Sequence, residues 1–206
     1  MTGDWNALAA RAEWIAFAAR AARSTLDWFE DARNLRYVAD RLWPPVGQFF
    51  EKADAYVAEH GGSPSPELML EARGALRFTG PYVLLAGLAI ENVAKGLVVQ
   101  REDPVQGDRL AGWFMTHDVH ALLVRASIPL SDNETHTCAV LRAYVEWAGK
   151  YPVSSRLSAS GPQETAAGGF IPTAGWFRPE NKVAVDALFE KEPHRPAARN
   201  PSRRPA

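Results

Sequence analysis

Apolar positions along this chain recur mostly at intervals of three and four, the period that marks one face of an α-helix. In residues 3–21 the set Trp5, Leu8, Ala12, Ile15 and Ala19 keeps that spacing. Residues 24–43 place Trp28, Leu35, Val38 and Leu42 on one side. They open with Ser24 and Asp27, a capping pair in which Asp substitutes for the usual Glu or Gln. The pattern leaves open whether these stretches are one bent helix or two. Pro44 and Pro45 predict an end there and the start of a helix over 45–60, terminated by Gly61 and Gly62. Ser65 and Pro66 open the next over 66–78, and Gly80 and Pro81 separate it from an apolar run over 81–99. Near the C-terminus a last helix places Val183, Ala187 and Leu188 on one side, with Phe189 nearby.

Strand signals are scarce. No run shows sustained alternation between hairpin turn pairs, and only "GLVV" and "GGFIP" have a β-like composition. The predicted fold is all-α, an up-and-down helical bundle with an N-terminal helical extension. Residues 1–62 are expected as helices packing on a core of 63–152. An irregular loop over 153–178, a helix over 179–192 and a Pro-rich basic tail over 193–206 follow. Further loop is expected over 102–115. The 152–178 stretch is rich in Ser, Gly, Pro and Thr and too long for an ordinary connection, as expected of a mobile or partner-ordered segment.

The apolar run over 81–99 is the chain's one candidate for a membrane span, yet it carries Glu91, Asn92 and Lys95 in its latter half. A charge at the bilayer centre costs about 2.5 to 3.5 kcal/mol, against a gain of about 0.3 to 0.6 for each large apolar residue. Several Ala and Gly in the run gain little, so the expectation is a central bundle helix and no membrane association. Gly80, Gly87 and Ala94 recur every seven residues, a line of small side chains along which a neighbouring helix can approach. Glu91 and Lys95 stand four apart with the acid first, the favourable order for an intrahelical ion pair. Either they form a narrow wet stripe or they floor a polar groove.

Composition narrows the partners. The formal charge of −1 over 206 residues creates no global attraction to nucleic acid or anionic lipid, so such a ligand needs a local patch. Charge is uneven: "HRPAARNPSRRPA", the last thirteen residues, has four Arg and no acid, leaving 19 basic against 24 acidic side chains before it. Pro196, Pro201 and Pro205 favour an extended, solvated tail, read either as a disordered terminus or as a phosphate-touching arm. The single Cys138 excludes an intramolecular disulfide framework and, with no basic-then-apolar leader at the N-terminus, points to the cytoplasm.

Histidines cluster in "THDVH". Thr116 is a candidate N-cap, and His117 and His120 are three apart and able to share a helix face beside Asp118. Such a turn binds an anion or simply starts a helix. A zinc site needs a third ligand, and His136 sits at a separate helix start where Ser131 and Glu134 form a capping box; no ligand spacing supports a metal, and no cofactor is expected. Nucleotide-cradling and nucleophile motifs are absent from the sequence. Cys138 falls in a helical pattern suited to a buried thiol. Trp113 and Trp147 flank the polar segment and offer either core packing or base stacking.

Three blocks together carry a resemblance. "AIENVAK", residues 89–95, resembles the A-x-E-x-x-x-K helix of the HEPN superfamily, small helical domains named for nucleotide binding in higher eukaryotes and prokaryotes. "THDVHALL", residues 116–123, is similar to the family's G-H-D-L-x-x-L segment, with Thr116 for Gly and Val119 for Leu. "YVEWAGKYP", residues 144–152, resembles the helix end that in many members finishes Arg-Tyr-Pro, here Lys150, Tyr151 and Pro152. The resemblance implies a helical bundle, often a homodimer, associated with RNA, nucleotides or a cognate protein, and in many prokaryotic members a metal-independent ribonuclease of a toxin–antitoxin or defence system.

Those ribonucleases place a His four to six residues beyond an Arg, so that the Arg stabilises phosphate charge and the His moves a proton. Here the nearest match, Arg109 to His117, has seven residues between. The resemblance therefore implies, first, a non-catalytic binding module whose groove is formed by Glu91, Asn92, Lys95, Asp118, Arg142, Lys150 and Tyr151, with His117 on its edge. The alternative is a degenerate ribonuclease with His117 or His120 as acid or base and Arg109 or Arg142 bracing the phosphate.

Overall fold

The computed structural model describes residues 5–148, 163–164, 170–171 and 177–192. The chain forms an all-α helical bundle of α1 (Trp5–Arg23), α2 (Thr25–His60), α3 (Pro66–Leu76), α4 (Thr79–Val99), α5 (Val119–Arg125), α6 (Asp132–Ala143) and α7 (Pro179–Glu190). A 3-10 turn, Gly112–Met115, precedes α5, and a π-helical turn, Tyr144–Ala148, extends α6. The strands are two-residue pieces: β1 (Val105–Gln106) pairs antiparallel with β2 (Arg109–Leu110), and β3 (Gln163–Glu164) with β4 (Phe170–Ile171). Gly107, at φ +65°, supplies the left-handed backbone that the two-residue β1–β2 turn requires. Of the two β-like stretches, "GLVV" is the end of α4, whereas Phe170 and Ile171 do form β4.

The first two helices are separate. Ser24 breaks the chain and caps α2, its hydroxyl accepting from the Asp27 amide at 3.3 Å. The expected stop at Pro44 and Pro45 is overturned, because α2 runs through both for 36 residues. An internal Pro costs a helix about 3 kcal/mol. Ala39, Val46 and Ala53, seven apart, carry one buried line across the prolines, and this tertiary burial offsets the local penalty. The buried side also differs in phase from the expected one: Phe29, Ala32 and Ala39 are buried, while Val38 is 48% exposed. At the next junction Gly80 and Pro81 do not separate elements. They lie in the first turn of α4, where a missing amide hydrogen costs nothing, and the break falls at Arg77 and Phe78.

Helix α4 is the axis of the fold and contacts α2, α5, α6 and α7. Its length and apolar composition would suffice to cross a membrane, but most of that stretch is buried inside the protein, as befits a core helix. Glycine sets the distances: a Cβ on Gly87 would stand 2.6 Å from Val145 Cγ2, and one on Gly96 2.7 Å from Phe29 Cε1. Gly87, in the seven-residue line, thus admits the π-helical turn, and Gly96, outside that line, admits α2. The main core joins Phe29, Ala32 and Ala39 to Tyr82, Ile90, Val93, Leu122, Leu141, Phe177 and Leu188. A smaller cluster, Phe49, Ala53 and Ala72, holds α3 to the second half of α2.

Helix α7 buries Asn181, Ala184, Val185 and Leu188: Leu188 is on the buried side as expected and Ala187 is half-buried, whereas Val183 is 66% exposed. A charged clamp fixes it to α2. Arg36 pairs with Asp40 at 2.7 Å and with Asp186, while Lys182 holds Asp186 at 2.6 Å.

Candidate functional site

Helix α4 delivers Glu91 and Lys95 to its buried side, and their side chains are only 5% and 10% exposed. Lys95 Nζ donates to Glu91 Oε1 at 2.6 Å. The ammonium also lies 5.2 Å from the Phe114 ring centroid and 5.8 Å from that of Trp28. These rings meet edge to face at 5.2 Å, forming an aromatic wall that favours a cation over bulk apolar surroundings. Asn92 is half-buried on the same helix.

The second oxygen of Glu91 reaches across to the "THD" segment: His117 Nδ1 is 3.0 Å from Glu91 Oε2. An ionised carboxylate only accepts, so beside Lys95 this contact requires the proton on His117 Nδ1. In its neutral form the ring then carries its lone pair on Nε2, in a side chain that is 44% exposed. Glu91 is thus the common partner of a buried ammonium and a surface imidazole.

The next residue starts a second group. Thr116 was the expected N-cap, but α5 begins at Val119 and its cap is Asp118, whose Oδ1 accepts from the Ala121 amide at 3.0 Å. Thr116 instead supports the cap, its hydroxyl accepting from the Asp118 amide at 3.0 Å. His117 therefore precedes the helix and does not share a helical face with His120, which is half-buried on α5. The other oxygen of Asp118 accepts from Arg142 of α6, and Arg142 Nε donates to Glu146 Oε1 at 2.7 Å. The Glu146 hydrogen bond, more than its charge, holds the Arg142 guanidinium above its ordinary pKa.

Several expected site residues come together: Glu91, Lys95 and His117 in one group, Asp118 and Arg142 in an adjoining one. Arg109 does not join them through any described contact. It stands on β2 with its side chain 88% exposed, 3.9 Å from the neighbouring Asp108. Lys150 and Tyr151 lie outside the described residues, as does the basic tail. Trp113 is half-buried with the Arg125 guanidinium 4.5 Å from its ring, so that face is occupied; the Trp147 side chain lies outside what is described. Glu146 was missed as a site residue, although its position four beyond Arg142 signals the pair. Phe114 and Trp28 left no local signal, since only tertiary packing brings them to Lys95.

Among the described residues no group of three or more His, Cys, Asp or Glu could hold a metal ion. Cys138 is buried, and desolvation pushes its thiol up to about 12, which leaves it protonated and unreactive at neutral pH. The Ser131–Glu134 capping box is formed in full, and Lys191 adds a 2.8 Å ion pair to Glu134. Burial pushes Glu134 upward, but Lys191 and the Ser131 donors outweigh it and hold its pKa below the ordinary carboxylate value. No protein-family model matches this chain, and no curated protein or solved structure matches it either.

Proposed function

We propose that this chain is a HEPN-like, non-catalytic binding module of the cytoplasm that engages a cognate protein partner, in the manner of a toxin–antitoxin or defence pair. The state of the two cations carries this reading. Lys95 is held by Glu91, and Arg142 by both Asp118 and Glu146. Three carboxylates, Glu91, Asp118 and Glu146, surround the two cations. A phosphate of RNA or of a nucleotide would have to displace a carboxylate to reach either cation. A basic protein surface needs no such exchange, because the Asp118, Glu146 and His117 side chains, 23%, 40% and 44% exposed, present acceptors to it.

Co-expression with the product of the adjacent reading frame, followed by size-exclusion chromatography with light scattering, tests the proposal. A complex of defined stoichiometry is expected, weakened about tenfold or more by Asp118→Asn with Glu146→Gln. No complex, or one indifferent to both substitutions, would overturn it.

One observation favours the ribonuclease reading instead. A carboxylate that fixes the His117 tautomer leaves Nε2 as an available base, the arrangement that general acid–base catalysis uses. Cleavage of labelled RNA in EDTA, abolished by His117→Ala, would establish that activity and remove the non-catalytic reading.

A further inference from the structure

Among its described side chains, helix α1 is anchored at its C-terminal end. Ala22 is buried, its carbonyl accepts from Trp28 Nε1 at 3.0 Å, and Arg23 grips both oxygens of Asp103 at 2.9 and 3.1 Å. Residues 10–18, by contrast, are all exposed. They include Trp14 at 67%, Phe17 at 54% and Ile15 at 39%, a concentration of uncovered apolar surface unusual for an isolated chain. The Trp14 and Phe17 rings lie 5.6 Å apart, and one shallow groove runs along Ala10, Glu13, Trp14, Ala16, Phe17 and Arg20.

The charges in that groove indicate what covers it. Glu13 and Arg20 are seven residues apart and so point almost the same way from the helix. Each is fully part of the groove, and neither has a described ion-pair partner within the chain. An acid in the middle of the apolar side is unfavourable against anionic lipid but complementary to a cation at a matching position.

We propose that α1 pairs antiparallel with the α1 of a second copy, about a two-fold axis passing between Ala16 and Phe17. Glu13 and Arg20 are equidistant from that axis, about 5 Å along the helix on either side. The rotation therefore sets each Glu13 opposite Arg20 of the second copy, twice over. Trp14 of one copy lies beside Phe17 of the other, and Ala10 and Ala16 allow the helices to approach. The same patch serves both copies, as an isologous contact demands. The contact uses none of the residues around Glu91, so it stands independently of the proposed binding function.

Sedimentation equilibrium of the full chain tests the pairing, with circular dichroism confirming that each variant keeps its helix content. A concentration-dependent dimer is expected. Glu13→Arg alone, or Arg20→Glu alone, puts like charges face to face and raises the dissociation constant about tenfold or more, while the double variant E13R/R20E restores it. Trp14→Ala also weakens the dimer. A monomer at every concentration, or a dimer that ignores either single reversal or is not restored by the swap, overturns the proposal. Binding of the monomer to anionic phospholipid vesicles, lost in Trp14→Ala, would assign the face to lipid and likewise overturn it.

Discussion

Glu91 and His117, 26 positions apart, meet at 3.0 Å, with the same carboxylate already bound to Lys95 through its other oxygen. The bridge ties the segment before α5 to the axis of the bundle. It also makes Glu91 the residue on which both the burial of Lys95 and the tautomer of His117 depend.

Removing one member of the buried pair leaves the other charged and desolvated. Lys95→Met is expected to cost about 3 to 5 kcal/mol of unfolding free energy. The double variant Glu91→Leu with Lys95→Met removes both charges and should recover most of that loss. Urea denaturation of the two variants and the parent checks this, and a double variant no more stable than the single one contradicts the account.

Helix α2 passes through Pro44 and Pro45 only because tertiary burial outweighs a local defect. Replacing Pro44 by Ala restores an amide donor within a continuous helix. The expected gain is about 1 to 3 kcal/mol, read from the denaturation midpoint. A break in α2 at this point would instead make the substitution neutral or destabilising.

Close approach at Gly87 leaves no room for a methyl group, since its Cβ would meet Val145 Cγ2 at 2.6 Å. Gly87→Ala should destabilise by about 1 to 3 kcal/mol through overpacking. Gly74, exposed in α3 with open space around its Cβ position, is the contrasting site. There, Ala should stabilise by about 0.4 to 1 kcal/mol, so the same substitution has opposite signs in thermal melts.

The lowered pKa of Glu134 gives its ion pair a defined pH dependence. A carboxylate whose folded pKa lies below its unfolded value contributes stability above the unfolded pKa, about 4.3, and that contribution is lost as pH falls through the folded value. Acid should therefore destabilise the parent more than Glu134→Gln, which has no titrating group at that position. Melting temperatures measured from pH 6 down to about pH 3 should converge for the two proteins, a range set by ordinary carboxylate titration.

Legibility along the chain followed the range of the interactions involved. The Ser131–Glu134 box, the Ser24 cap and the Glu91–Lys95 pair were all readable, because each joins residues three or four apart in a helix. The line of Gly80 and Gly87 was likewise visible as a repeat, although Gly96, which receives Phe29, escaped it. In α2 and α7 small residues, Ala32, Ala39 and Ala184, fill the contact positions and leave Val38 and Val183 exposed, against the spacing of the large apolar residues. A search for large apolar side chains passes over those alanines.

By itself the sequence determined the helical period, most of the caps and the presence of charge within an apolar helix, since these depend on neighbours within one turn. Tertiary structure alone decided that α2 continues through two prolines, that Glu91 shares its oxygens between Lys95 and His117, and that Arg142 pairs with Asp118 across two helices. Those outcomes rest on contacts between helices. Burial energy collected over many residues there outweighs what any local stretch prefers.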